Sequence, residues 1–196
     1  MIAYKGISPD MTARLGNHDG EVFEVGRTYT VKASKTARNG YHCCENPAQC
    51  LRYYDLKHDR FFKVEAAGSI DEDESERIAC TKLTILGELD IKGFFCACIK
   101  YIVAHPERQK WEWSGCGVEI AKTSAKAAVI AIARGEDPRA MIGEEGGFIG
   151  LIMEDSNGRL IAAKTARIDG KSFYSGTWYH INHAGYVEEV DRKSVV

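Results

Sequence analysis

His42 stands directly before Cys43 and Cys44, and these three residues are the densest group of reactive side-chain types in the sequence. A nucleophilic thiol needs an activating base and an oxyanion site, and no recognised local signature surrounds either cysteine. Adjacent side chains in an extended segment point to opposite faces, so at most one of the two thiols works with a given partner. The plainer role is a small hydrophobe packed in a core. A zinc site needs four convergent ligands; His42, Cys44, Cys96 and Cys98 would have to be assembled by the fold, and no Cys-x-x-Cys pair exists. His180-x-x-His183 lacks an evident third ligand, and the acidic run Asp71-Glu72-Asp73-Glu74 lacks the central Gly of a calcium loop. No metal and no cofactor are therefore expected. Glycine-rich Gly143-x-x-Gly146-Gly147-x-x-Gly150 lacks the Lys-Ser/Thr ending of a nucleotide loop, and Gly115-x-Gly117 lacks a third Gly. Arg134 and Arg139 near these turns offer bidentate forks for phosphate, the alternative being solvated arginines on a turn-rich scaffold. Trp111, Trp113 and Trp178 are the aromatics placed with them as ligand-binding residues, to stack a base. Phe173, Tyr174, Tyr179 and Tyr186, with His180 and His183, offer stacking too, or the core of a small sheet.

The elements that must position these residues read as mixed α and β in the first hundred positions. Residues 2–6 form a short strand, 21–31 alternate in hairpin fashion, and Arg38-Asn39-Gly40 is a turn signal. Asn46 caps and Pro47 opens a helix over 47–54. A strand over 60–66 stops at Gly68, after which the acidic run is a solvated loop. Residues 81–86 read as strand and 91–103 as helix, ended by His105-Pro106. The composition shifts after Trp111-Glu112-Trp113-Ser114, which divides the chain into a module over 1–114, a Gly/Ala-rich segment over 115–153 and a C-terminal β segment over 154–196. Within the middle segment 121–134 reads equally as an Ala-rich helix or as coils of a short β-solenoid, because small-apolar-Gly units recur from Ala131 to Gly150. The expected fold class is thus α+β: a mixed α/β N-terminal module, a solenoid-like or Ala-rich segment, and a small C-terminal sheet marked by Asn157-Gly158, Asp169-Gly170 and Ala184-Gly185 turns.

Composition narrows the function classes. In 196 residues, 26 Lys+Arg face 28 Asp+Glu for a net charge of -2, mixed in sign along the chain, which argues against a nucleic-acid-coating protein. No apolar run reaches the ~20 residues a membrane span requires, and the N-terminus lacks a secretory pattern, so a cytoplasmic protein without membrane contact is expected. Seven cysteines without framework spacing read as free thiols.

The stretch Gly40-Tyr41-His42-Cys43-Cys44-Glu45-Asn46-Pro47, with Tyr4-Lys5-Gly6 before it and Thr177-Trp178-Tyr179 near the end, resembles a family found in phage and prophage genomes. Its shared features are a Tyr-Lys-Gly start, a Gly-aromatic-His-x-Cys-x-Asn-Pro core, a small-residue repeat and a Thr-Trp-Tyr strand. The resemblance implies a phage context in a host cytoplasm and supplies no catalytic residues. The repeats of longer members are similar to the coils of trimeric adhesin heads, which implies a homo-oligomer, a trimer by analogy. The repeat here is short and interrupted by Glu136-Asp137-Pro138. The order of elements also resembles ADP-ribosyltransferase-like folds, which would cast His42, Tyr54 and Glu65 as NAD-holding and catalytic residues.

Three functions follow as expectations. The first is a non-enzymatic phage counter-defence protein that sequesters a nucleotide-derived immune signal, using Arg134, Arg139, Trp111, Trp113 and Trp178; the missing catalytic motif favours it. The second is an NAD-dependent transferase using His42, Tyr54 and Glu65. The third is a virion or assembly component.

Overall fold

In a computed structural model, residues 1–13, 20–72, 77–106, 118–125 and 129–190 are described, and the chain divides into two compact units, Met1–Cys98 and Ile99–Val196.

The first unit is built from five strands: β1 (Ile2–Ile7), β2 (Thr28–Thr30), β3 (Tyr41–Cys44), β4 (Arg60–Glu72) and β5 (Arg77–Leu89). β5 pairs with β3, β3 with β1, β1 with β4 and β4 back with β5, so four strands close into a nearly barrel-like ring, and β2 extends it from β5. Closure removes most exposed edges. The inward set of alternate side chains fills the ring: Ala3 and Ile7 from β1, Tyr41 and Cys43 from β3, Phe62, Val64 and Ala66 from β4, Ile78, Cys80, Leu83 and Ile85 from β5. Phe23, Tyr29 and Tyr41 complete this core edge to face, with centroids 5.0–6.2 Å apart. Between β3 and β4 lies a 3-10 helix, Pro47–Arg52, started by Asn46, whose Oδ1 accepts from the Ala48 N–H at 3.0 Å. After β5, Asp90 accepts from the Gly93 N–H at 2.6 Å and opens the helix α1 (Ile91–Ala104).

The second unit carries β6 (Val118–Ala125), β7 (Ile130–Ile142), β8 (Phe148–Glu154), β9 (Leu160–Arg167), β10 (Tyr179–Ile181) and β11 (Val187–Glu189) in one six-stranded sheet. Its order is β11-β10-β7-β8-β9 with β6 also on β7, and β7 runs parallel to both β6 and β8. The β6–β7 register shifts between Ile120 and Lys122, which pair with Arg134 and Arg139, so Gly135-Glu136-Asp137-Pro138 stand opposite a single residue of β6. Ala131, Ala133, Ile149, Leu151 and Tyr179 lie in the core on one face of the sheet.

The expected α+β class is therefore overturned. The protein is mostly β, with two sheets, one of them nearly a barrel, and among the described residues only the short 3-10 helix and α1 are helical. The strand over 60–66 does not stop at Gly68: β4 continues to Glu72, and Gly68, at φ 77°, lies in a bulge opposite β5. There the Thr81 hydroxyl accepts from the Ser69 N–H at 2.9 Å, where a Cβ on Gly68 would come within 2.2 Å of it. Asp71 and Glu72 accordingly belong to a strand rather than a loop, while Asp73 and Glu74 lie outside the described residues. An Ala-rich helix at 121–134 is excluded by β6 and β7, and the C-terminal strands form no separate small sheet, since β8 to β11 share one sheet with β6 and β7.

Candidate functional site

Strand register alone builds one wall of a cavity in the first unit. Tyr4 on β1 pairs with Cys44 on β3, and Cys44 pairs with Arg77 on β5, so three side-chain positions stand in one row across three strands. Gly6 shares a face with Tyr4, and over it lies the ring of Tyr54, which follows the 3-10 helix; a Cβ on Gly6 would be 2.3 Å from that ring. With Ala37, Arg38, His42, Cys50 and Tyr53 these residues line a cavity of about 530 Å³, a size that admits a small-molecule ligand.

Its polar groups are held by identifiable partners. His42 Nε2 accepts from the Ala37 N–H at 3.1 Å, which requires the neutral tautomer with its proton on Nδ1. The Arg77 guanidinium lies 5.9 Å from the Tyr53 ring centroid, with Nη1 3.5 Å from the Tyr53 hydroxyl. Burial raises the Tyr4 phenol above its ordinary value, with Cys98 and Cys50 adding to the effect, so it stays a neutral hydrogen-bonding group. Lys5 also borders the cavity; its Nζ donates to the His42 carbonyl at 2.8 Å and lies 5.3 Å from the Phe23 ring, and burial pulls its pKa down. The neighbouring Cys50 thiol, with burial, pushes the Cys44 thiol well above its usual range. The neighbouring Cys80 thiol, with burial, raises Cys43 in the same way, while Cys80 Sγ donates to the Tyr41 carbonyl at 3.5 Å. Among the described residues the wall thus carries arginines, tyrosines, a histidine and thiols, and no carboxylate.

The residues singled out from sequence distribute unevenly around this cavity. His42 and Tyr54 both line it. Glu65 is exposed on β4, paired with Ile2 and Thr84, and is not a wall residue. Arg134 is 2% exposed and donates through Nε to Glu154 Oε1 at 2.6 Å, with Nη2 3.4 Å from the Pro106 carbonyl. Arg139 is bound to Asp137 at 2.8 Å through Nε. Both arginines of the expected phosphate site thus already hold carboxylates. Trp178 is half-buried and its carbonyl accepts from the Val190 N–H at 2.8 Å; Trp111 and Trp113 lie outside the described residues. Phe173 packs edge to face on Tyr179 at 5.2 Å, so those two aromatics are core.

Among the described residues no three His, Cys, Asp or Glu side chains are placed to hold a metal, so His42, Cys44, Cys96 and Cys98 do not converge on one. His180 Nε2 lies 3.3 Å from Glu188 while His183 sits exposed on the following turn. The six described cysteines are free thiols, and Cys116 lies outside the described residues.

Sequence reasoning missed Tyr4, Arg38, Cys50, Tyr53 and Arg77 as wall residues. Tyr53 and Arg38 flank the Gly-Tyr-His-Cys motif closely enough to have been found by proximity; Arg77 carries no local signal and arrives only through the β3–β5 register. No curated protein and no solved structure matches the chain. Residues 1–97, which hold the whole cavity and end one residue short of the first compact unit, match the family model DUF7666, described as a domain of unknown function.

Proposed function

We propose that the first unit is a binding module for a small anionic ligand bearing a ring, of the nucleotide class. The observation that carries this reading is a cavity of about 530 Å³ whose wall combines Arg38, Arg77 and His42 with Tyr4, Tyr53 and Tyr54. Guanidinium groups favour phosphate oxygens, and tyrosine faces accept a base at low entropic cost.

In its most specific form the ligand is a nucleotide-derived immune signal, and the protein acts in a host cytoplasm by withholding it; the phage-family resemblance supports that context. Glu65, the acid a transferase would need beside His42 and Tyr54, is absent from the wall, which favours holding a ligand over transforming it.

Calorimetric titration of the full chain with adenosine diphosphate tests the reading. Saturable binding is expected, weakened about tenfold or more by Arg77→Ala, the loss of one charge-assisted hydrogen bond. The nucleotide should be recovered unchanged. Absence of binding to adenosine mono- and diphosphate alike would overturn the proposal, and turnover of added NAD would replace it with the transferase reading.

A further inference from the structure

The turn over 35–39 brings Ala37 and Arg38 to the cavity, and it is held in two places. At its base the Lys35 N–H donates to the Asn39 carbonyl at 3.0 Å, and Asp71 on β4 accepts from the Thr36 N–H at 2.7 Å and from Lys35 Nζ at 2.8 Å. At its tip the Ala37 N–H donates to His42 Nε2 at 3.1 Å. Ala37 has φ 61°, in the left-handed region that residues with a side chain rarely adopt, a conformation that persists only where the surroundings hold it. The two holds respond differently to acid. Hydrogen bonds from Lys35 and Thr36 keep the Asp71 carboxyl well below its ordinary value, so the base stays fixed at mildly acidic pH. An imidazolium carries a proton on both nitrogens and accepts no hydrogen bond, so the tip bond requires a neutral ring. The basic groups lining the cavity with that ring are Lys5 on β1, Arg38 on the turn and Arg77 on β5; the other titratable ones are the phenols of Tyr4, Tyr53 and Tyr54 and the thiols of Cys43, Cys44 and Cys50. Of these side-chain types only imidazole ordinarily changes charge between about pH 5 and 8.

We propose that His42 is a positioning residue, whose neutral imidazole latches the Ala37-Arg38 tip at the cavity and whose protonation releases it. His42 acts here through Arg38: with the tip latched, the guanidinium is presented to an anion from a preorganised place, and with the tip released that place is lost. A charged ring acting by simple attraction would instead tighten anion binding in acid, so the two roles give opposite pH dependences. The effect on affinity rests on the nucleotide-binding reading, whereas the latch itself exists without a ligand.

Nuclear magnetic resonance of the ligand-free, isotope-labelled full chain reads the latch directly. At about pH 8 the ring-nitrogen spectrum should show His42 protonated on Nδ1 and bare on Nε2. As the ring titrates, protection of the Ala37 amide, corrected for intrinsic exchange, should fall about tenfold, the contribution of one hydrogen bond, while the Thr36 amide stays protected. In His42→Gln the side-chain carbonyl takes the place of Nε2 as acceptor, and Ala37 should stay protected over the same range. An Nε2–H tautomer in the neutral ring, or Ala37 protection that is constant through the His42 titration, would overturn the proposal. A step that survives in His42→Gln would also overturn it, by assigning the response to Lys5. Titration with adenosine diphosphate adds the functional arm: the ratio of native to His42→Gln affinity, in which the ligand's own ionisation cancels, should fall about tenfold between about pH 8 and pH 5. A ratio that rises in acid would replace the latch with direct attraction. Absence of binding by both proteins would sink the nucleotide reading and leave the latch to be decided by the ligand-free spectra.

Discussion

At Arg134 the chain places a full positive charge at 2% exposure and neutralises it with Glu154, itself 2% exposed. Desolvating two ions costs several kcal/mol, and the pair recovers this only because both charges are present together. Arg134→Met alone should therefore destabilise the second unit by about 3–5 kcal/mol, read as a fall in the denaturant midpoint, by stranding a buried carboxylate. Replacing both residues with apolar ones of similar volume should cost far less, and a double variant as unstable as the single would show that the pair does more than balance charge. Asp169 shows the opposite regime, a solvated carboxylate fixed by backbone. It accepts from the N–H groups of Lys171, Ser172 and Phe173 at 2.8–3.0 Å, and these bonds, that of Phe173 first, lower its pKa from 3.8 to about 2. A depressed folded-state value contributes stability that is complete above 3.8 and lost as pH falls towards 2. Thermal melts between those pH values should show a steeper acid loss for the native protein than for Asp169→Asn. Identical slopes would mean that the turn is not coupled to global unfolding.

Among the elements, the contact between β1 and the segment after the 3-10 helix is the tightest at the candidate site. Gly6 is required there by space rather than by backbone angle, since any Cβ would sit 2.3 Å from the Tyr54 ring. Gly6→Ala should force Tyr54 outward, at about 1–3 kcal/mol in stability, and reshape the cavity. A variant with native melting temperature and native nucleotide affinity would refute this packing. The Gly6 requirement itself has no sequence signal, because Tyr54 is 48 residues away. By contrast the Asn46-Pro47 start of the 3-10 helix and α1 were legible, both resting on local chemistry of caps and periodicity. The failures also have local causes. Gly68 reads as a terminator, yet a bulge absorbs its positive φ and the ladder continues, with Asp71 taken up by Lys35 Nζ at 2.8 Å and the Thr36 N–H at 2.7 Å. The Ala-rich run at 121–134 has helix-forming residues, but partners in β7 and β8 decide its conformation, as tertiary pairing commonly overrides propensity. His42 and Tyr54 were legible as site residues because they lie near one motif; Arg77 was not, because a cross-strand register delivers it.

On the scale of the whole molecule, two candidate anion sites fall in different units, which makes them separable without cutting the chain. Arg38 and Arg77 belong to Met1–Cys98, whereas Arg134 and Arg139 belong to Ile99–Val196. The chain-wide charge of -2 cannot choose between them, since attraction of a small anion depends on local groups within about one Debye length. Local geometry does choose. Arg139 already meets Asp137 at 2.8 Å, so a phosphate there must displace a carboxylate, while the cavity gathers Arg38 and Arg77 with Tyr4, Tyr53 and Tyr54 on one wall. Titrating adenosine diphosphate into Arg77→Ala and Arg139→Ala of the full chain should therefore give unequal results: about a tenfold or greater loss of affinity for the first and less than a twofold change for the second. Circular dichroism of both variants should match the native protein, because each substitution removes a side chain outside the cores of the two sheets. The reverse pattern, with Arg139→Ala alone losing affinity, would move the binding site to the second unit and leave the cavity without its proposed ligand.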